Sequence, residues 1–283
     1  MLWALAFANS AEAAVSVRHP GAVGEGLPFF VRVATDEPLA AVTVRWLGKE
    51  VPATVEKRGR GSVATVLLGM GLRDKLKGAS FALEVESKTA SGAKIYKAEI
   101  QRTPREFPVE RLTVKKSFTQ LSKEVEERTR RERKEVDAAL ATISLKRWWT
   151  CPFTRPVPGA SGSVFGLRRF FNNEPRSPHN GVDFSGAAGE PIVAVTAGTV
   201  ILAPEHFYSG NAVYLDHGQG VISMYFHLSE THMRVGQSVK AGEIVGLVGA
   251  TGRVTGPHLH FGLRVAGQAV DPLPLMDGDC GVE

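Results

Sequence analysis

No apolar pattern in this chain runs far: short stretches rich in β-branched and aromatic residues are each cut off by glycine, proline or an Asp/Lys cluster. In the first hundred residues these stretches fall at 29–33, 42–47, 63–68, 81–85 and 95–100. Runs this short cannot complete a helical stripe, but they suit strands whose alternate side chains face a shared core. The spacing predicts an all-β sandwich, with the immunoglobulin-like arrangement as a candidate. From 148 onward the texture returns with more glycine, and 191–195, 199–202, 212–215, 221–226, 244–248 and 258–265 read as strands of a second all-β domain.

Between the two, 103–109 carries two prolines and reads as an extended connector. Residues 115–143 are the one long stretch of strong helix formers. There Phe118, Leu121, Val125, Val136, Leu140 and Ile143 fall at three-and-four spacing around a charged block, which predicts a helical linker with a solvated charged face. The expected class is therefore mostly β. Its division is a leader remnant over 1–13, a β-sandwich over 14–102, connector and helical linker over 103–147, and the second β domain over 148–283.

The leader reading rests on the apolar run MLWALAFA at 1–8 and on Ala11-Glu12-Ala13, a small-x-small cleavage pattern, so export is expected. No apolar run reaches the roughly 18 residues of a membrane-spanning helix. The formal net charge of +5 suits an anionic partner such as a wall polymer or a membrane surface. The basic residues are spread over the whole chain without a nucleic-acid-binding signature, which argues against nucleic acid. Cys151 and Cys280 bracket the second domain; they would pair in an oxidising compartment and stay free in the cytosol. C-x-x-C spacing is absent.

Seven of the eight histidines lie between positions 179 and 260. In Gly256-Pro-His-Leu-His-Phe-Gly262, an extended chain turns His258 and His260 to one face. In Ser177-Pro-His-Asn-Gly-Val-Asp-Phe184, His179 and Asp183 likewise share a face, and Gly181 lets the backbone bend. A lone H-x-H is a weak signal, and the second fragment alone also fits a surface histidine hydrogen-bonded to a nearby aspartate. Together, two histidines and a carboxylate are a three-ligand zinc set that leaves the fourth tetrahedral position to water, as catalysis requires. In Ser223-Met-Tyr-Phe-His-Leu-Ser229, alternation puts Met224, Phe226 and Leu228 on one face and Tyr225 and His227 on the other. His19, beside Pro20, reads as a surface or turn residue, and His206 and His232 as loop residues that are either exposed or in a substrate groove.

Taken in order, these fragments resemble the lysostaphin-like, or LytM-type, zinc endopeptidases that act on peptidoglycan. The match runs from Phe165-Gly-Leu-Arg168 through His179-x-x-x-Asp183, Asp216-His-Gly218, Tyr225-Phe-His-Leu228 and Gly242-Glu-Ile-Val-Gly246 to Thr251-Gly-Arg-Val-Thr-Gly-Pro-His-Leu-His260. The resemblance implies an antiparallel β architecture with an open groove. It implies Zn2+ held by His179, Asp183 and His260, with His227 and His258 as catalytic histidines, and a structural role for His217. It further implies hydrolysis of peptidoglycan stem-peptide cross-links by a metal-activated water, with directly linked stem peptides a better match than glycine bridges. Since no H-E-x-x-H glutamate is present, one histidine would take the water proton and pass it to the leaving amine while the other donates to the oxyanion. Relatives that have lost catalysis and serve as activators lack ligands, whereas here none of the five positions is substituted.

Overall fold

The computed structural model describes residues 15–72, 76–113 and 121–278. The expected leader over 1–13, residues 115–120 of the expected helix with Phe118, and Cys280 lie outside the described residues. The N-terminal strands are β1 (Ser16–Arg18), β2 (Ala22–Gly24), β3 (Pro28–Thr35), β4 (Leu39–Trp46), β5 (Lys49–Ala53), β6 (Val55–Arg58), β7 (Gly61–Gly69), β8 (Ser80–Thr89) and β9 (Gly92–Thr103). They form two sheets, β1-β3-β7-β6 and β2-β9-β8-β4-β5, antiparallel except where β2 meets β9. Lettered A, A′, B, C, C′, D, E, F, G in chain order, the sheets become ABED and A′GFCC′, which is the immunoglobulin-like arrangement.

Alternation builds the sandwich core. Every second residue of β3 is buried, and Val31 and Val33 share a cluster with Val44, Trp46, Leu83 and Val85 of the opposite sheet. Trp46 is fully buried and donates its indole N–H to the Gly69 carbonyl at 2.8 Å, so its one polar atom is satisfied. β7 is buried along nearly its whole length because it is covered on both sides. Val66 and Leu68 face the sandwich core, while Leu67 belongs to the core of the C-terminal sheet.

The connector is fastened rather than free. Phe107 packs edge-on against Phe165, and β10 (Val109–Leu112) runs parallel to β11 (Arg168–Phe171), which pairs in turn with β12 (Glu174–Pro175). Helix α1 (Lys123–Leu140) starts at Ser122, whose hydroxyl accepts from the Val125 N–H. Its apolar residues Val136 and Leu140 pack on Ala212, Tyr214 and Met224. The charged run does more than meet solvent: the Glu132 carboxylate accepts from the Phe207 N–H, Arg128 donates to the Glu205 carbonyl, and Glu135 pairs with His206.

The C-terminal strands are β13 (Gly181–Phe184), β14 (Pro191–Val193), β15 (Gly198–Leu202), β16 (Glu205–His206), β17 (Gly210–Asp216), β18 (Val221–Leu228), β19 (Ser238–Val239), β20 (Ile244–Leu247), β21 (Leu259–Val265) and β22 (Gln268–Val270), followed by the short helix α2 (Leu273–Asp277). Their main sheet has the order β13-β21-β18-β17-β15-β19, antiparallel throughout, with β16 and β22 attached. One face carries Val182, Phe184, Val213, Leu215, Tyr225, Phe261 and Leu263 into the core. The other face, with Tyr214, Met224, Phe226 and His260, is the floor of a groove that α1 walls on one side. Cys151 is disulfide-bonded.

Candidate active site

The loop before β13 fixes His179 from three directions. Its carbonyl accepts from the Gly166 N–H at 2.8 Å, its N–H donates to the Leu167 carbonyl at 3.0 Å, and its ring Nδ1–H donates to the Val164 carbonyl at 3.0 Å. The last bond sets the tautomer and leaves the Nε2 lone pair free. Gly166 holds φ +80° with the Phe107 ring against it, a position that only glycine can occupy.

Strand register supplies the rest. Asp183 of β13 lies directly across from His260 of β21, and His260 across from Phe226 of β18. The consequence is a tight triangle of donor atoms. His179 Nε2 is 2.9 Å from His260 Nδ1, His260 Nδ1 is 2.9 Å from Asp183 Oδ1, and Asp183 Oδ1 is 3.0 Å from His179 Nε2. Bonds of about 2.0–2.1 Å to one tetrahedral ion would hold such donors roughly 3.3 Å apart, so the set fits a zinc-sized cation with little movement. It is the one such group among the described residues. Burial works to raise the Asp183 carboxyl, but the imidazoles of His179 and His260 prevail and hold it far below the usual carboxylate range. Gly181 serves differently from expectation. Its φ is not positive; instead a Cβ there would stand 2.8 Å from His260 Nε2, so the missing side chain makes room for the ring.

His227 departs from the alternation expected of its strand. Tyr225 points into the core and Phe226 into the groove, so strict alternation would bury His227 beside Tyr225. The residue instead takes φ +65°, and the β17–β18 register shifts between Asn211 and Val213. This bulge turns His227 into the groove with Phe226 and returns Leu228 to the core. Met224 and Phe226 share a face as expected, but Leu228 leaves that face for the core beside Tyr225 and His227 takes the groove side. The His227 Nδ1–H donates to the Thr251 carbonyl at 3.0 Å, while the Thr251 hydroxyl donates to Leu228 and accepts from the Asn211 N–H. Burial first, with His260 nearby, depresses the His227 pKa to about 4, so the ring is neutral near pH 7. His258 donates Nδ1–H to the Gly256 carbonyl and places Nε2 3.8 Å from Asp183 Oδ1. The His227 and His258 rings lie 5.0 Å apart.

The remaining histidines stand apart from the triangle. His217 is fully buried, its Nδ1–H donating to the Ala197 carbonyl and its Nε2 bonded to the Ser223 hydroxyl, which also meets the Tyr225 hydroxyl. His232 is exposed beside Glu230, and His19 contacts Tyr96 at the surface. Of the two alternatives for His206, exposure is wrong: it is buried in β16 against Glu135 and lines the groove. Two contacts carried no sequence signal. Phe226 stacks on His260 with ring centroids 5.3 Å apart and planes 14° apart, and α1 closes a cavity of about 1000 Å³.

Three converging metal donors, flanked by two further imidazoles on the open face of an antiparallel sheet, define a metallopeptidase type of catalytic domain. Residues 177–272 match the peptidase family M23 model. A crystal structure of an M23-family protein from Pseudomonas aeruginosa is 30% identical, covers 84% of this chain and 88% of its own, and superposes with a TM-score of 0.61. The chain belongs to peptidase family M23. It is 43% identical over 97 residues to the peptidoglycan DD-endopeptidase ShyA of Vibrio cholerae, which amounts to 34% of this chain but only 23% of that protein. The catalytic domain of lysostaphin from Staphylococcus simulans is 35% identical, with 42% of this chain and 93% of that one covered and a TM-score of 0.38.

Proposed function

We propose that the chain is a zinc-dependent endopeptidase that hydrolyses peptide cross-links of bacterial peptidoglycan, with His179, Asp183 and His260 as ligands and His227 and His258 as catalytic residues. The observation that carries this reading is the triangle of donors, each within 3.0 Å of the next, facing an open groove beside two more imidazoles. Zinc, when bound, supplies a Lewis acid that polarises the scissile carbonyl and makes water acidic enough to attack near neutral pH. Asp183 stays ionised and His179 presents a fixed lone pair. His227, neutral and tied through Nδ1, offers Nε2 to take the proton of the attacking water and return it to the leaving amine. His258, tied through Nδ1 to the Gly256 carbonyl, donates to the developing oxyanion from Nε2 when its ring carries a second proton.

The peptidoglycan substrate is supported by the likeness to ShyA and ShyB, both peptidoglycan DD-endopeptidases of Vibrio cholerae. An exported protein in the periplasm or cell envelope is supported by the leader pattern and by the disulfide at Cys151, which suits an oxidising compartment. No helix of the described residues is long and apolar enough to cross a membrane. On this reading the residues over 148–283 carry the chemistry and those over 14–102 present or restrict it.

The test is digestion of purified sacculi by wild type and by His260→Ala, with bound zinc quantified in both. Wild type should carry about one zinc and release cross-linked peptides whose masses name the bond, and the variant should do neither. Wild type that binds zinc and releases nothing would remove the peptidase assignment.

A further inference from the structure

The groove floor continues beyond the metal centre along β21. His260, Gly262 and Arg264 alternate on the groove face while Leu259, Phe261, Leu263 and Val265 fill the core. Arg264 therefore stands on the same face as His260, about 13 Å further along the strand. Its position is unusual in charge. The other groove-lining arginines with close partners are matched: Arg169 bonds to Glu110, and Arg133 to Asp137. Among the described residues Arg264 has no ion pair and its Nε, shut off from solvent, has no hydrogen-bond partner; one Nη reaches the Gly267 carbonyl only at 3.5 Å. Burial first, then Arg133, lowers its pKa, and Asp137 and Tyr214 offset this only in part. Lys49 of the N-terminal sandwich adds a second cation over the adjacent turn, its Cε 3.4 Å from where a Cβ on Gly267 would be. Withdrawing a guanidinium from water without a directly paired carboxylate is costly, and a fork of donors matches a carboxylate in particular.

We propose that this end of the groove is a carboxylate-binding subsite built on Arg264, which takes a negatively charged group of the substrate peptide about 13 Å from the metal centre. The subsite rests on the peptidase reading for its substrate class. An extended peptide leaving the metal centre along the sheet would bring a carboxylate of the fourth residue, side-chain or terminal, to the guanidinium. Arg264 is thus a specificity residue, with Lys49 adding long-range attraction.

The experiment is calorimetric titration of the full chain with two synthetic stem-type peptides, identical except that the carboxylates of one are amidated. Wild type, Arg264→Met and Arg264→Lys are compared. Wild type should bind the free acid about ten- to a hundredfold more tightly. The preference should vanish in Arg264→Met and survive in part in Arg264→Lys. A wild type without acid preference overturns the proposal, as does an Arg264→Met that keeps the preference and only melts earlier, since that marks a structural clamp under α1. Hydrolysis of cross-linked peptides is followed in parallel. Acid preference without hydrolysis leaves the subsite and removes the peptidase reading, whereas hydrolysis without preference does the reverse.

Discussion

Replacing Gly181 by alanine tests the metal site without touching a ligand. The added Cβ would meet the Phe261 carbonyl oxygen and would stand 2.8 Å from His260 Nε2 and 2.9 Å from its Cε1. An unstrained carbon–nitrogen contact needs about 3.4 Å, so the ring or the β13–β21 spacing must give by roughly half an ångström. A displacement of that size is the tolerance of a preorganised site, and about 1 Å costs on the order of a hundredfold in rate. Overpacking against a backbone oxygen costs about 1–3 kcal/mol, equivalent to a fall in Tm of roughly 2–12 °C for a chain of this size. The expected outcome is zinc affinity weakened about ten- to a hundredfold, measured by competition with a chromogenic chelator, together with kcat/KM reduced at least tenfold and a modest loss of Tm. If Gly181→Ala binds zinc and cleaves sacculi like wild type, His260 is not seated against β13 as described and the triangle of donors is not preformed.

Acidification should destabilise the chain through His217. Full burial depresses its pKa to about 4, so between about 6.5 and 4 the unfolded chain takes up the proton first. That contribution is intact above pH 6.5, is lost as pH falls towards 4, and amounts to about 3 kcal/mol in all. Denaturant titrations from pH 7.5 to 4 read it, and a His217→Asn variant that shows the same slope would remove His217 as its source. Phe226→Ala deletes the ring stacked on His260 while leaving the donor triangle in place. It should retain zinc and lose about tenfold in kcat/KM; zinc content that falls with activity would make the stack a support of the metal rather than of the substrate.

The fold was legible where a single rule governed each residue. In β3, β4 and β8 the alternation of apolar and polar positions survives in the burial pattern, because each of these strands has one face on the sandwich core. β7 reads as a continuous apolar run for an equally physical reason: Leu67 serves the second core while its neighbours serve the first. Helix α1 was visible from its periodicity, but its docking was not. Nothing in the run KEVEERTRRERKEVD distinguishes Glu132, which accepts from the Phe207 N–H, from carboxylates that meet only water. The missing information lay in the position of β16, which the helix meets only through tertiary packing.

The site was legible for the residues whose geometry follows from strand period, and illegible where the period is broken. His258 and His260 share a side because they are two apart, and Asp183 reaches them through cross-strand register. His227 obeys neither rule. Its φ of +65° places a β-carbon in the left-handed region, at a cost of about 1–3 kcal/mol that a glycine would avoid. A histidine persists there because the strained conformation is what carries an imidazole from the core side of β18 to the groove side, within 5.0 Å of His258. Glycine would relieve the strain and supply no ring, and any side chain in the regular extended conformation would point at Tyr225 and the core. Strain and chemistry therefore select the same residue. A strand that fails its own alternation at a titratable side chain marks the place where the fold gives up stability to position an imidazole beside the donor triangle.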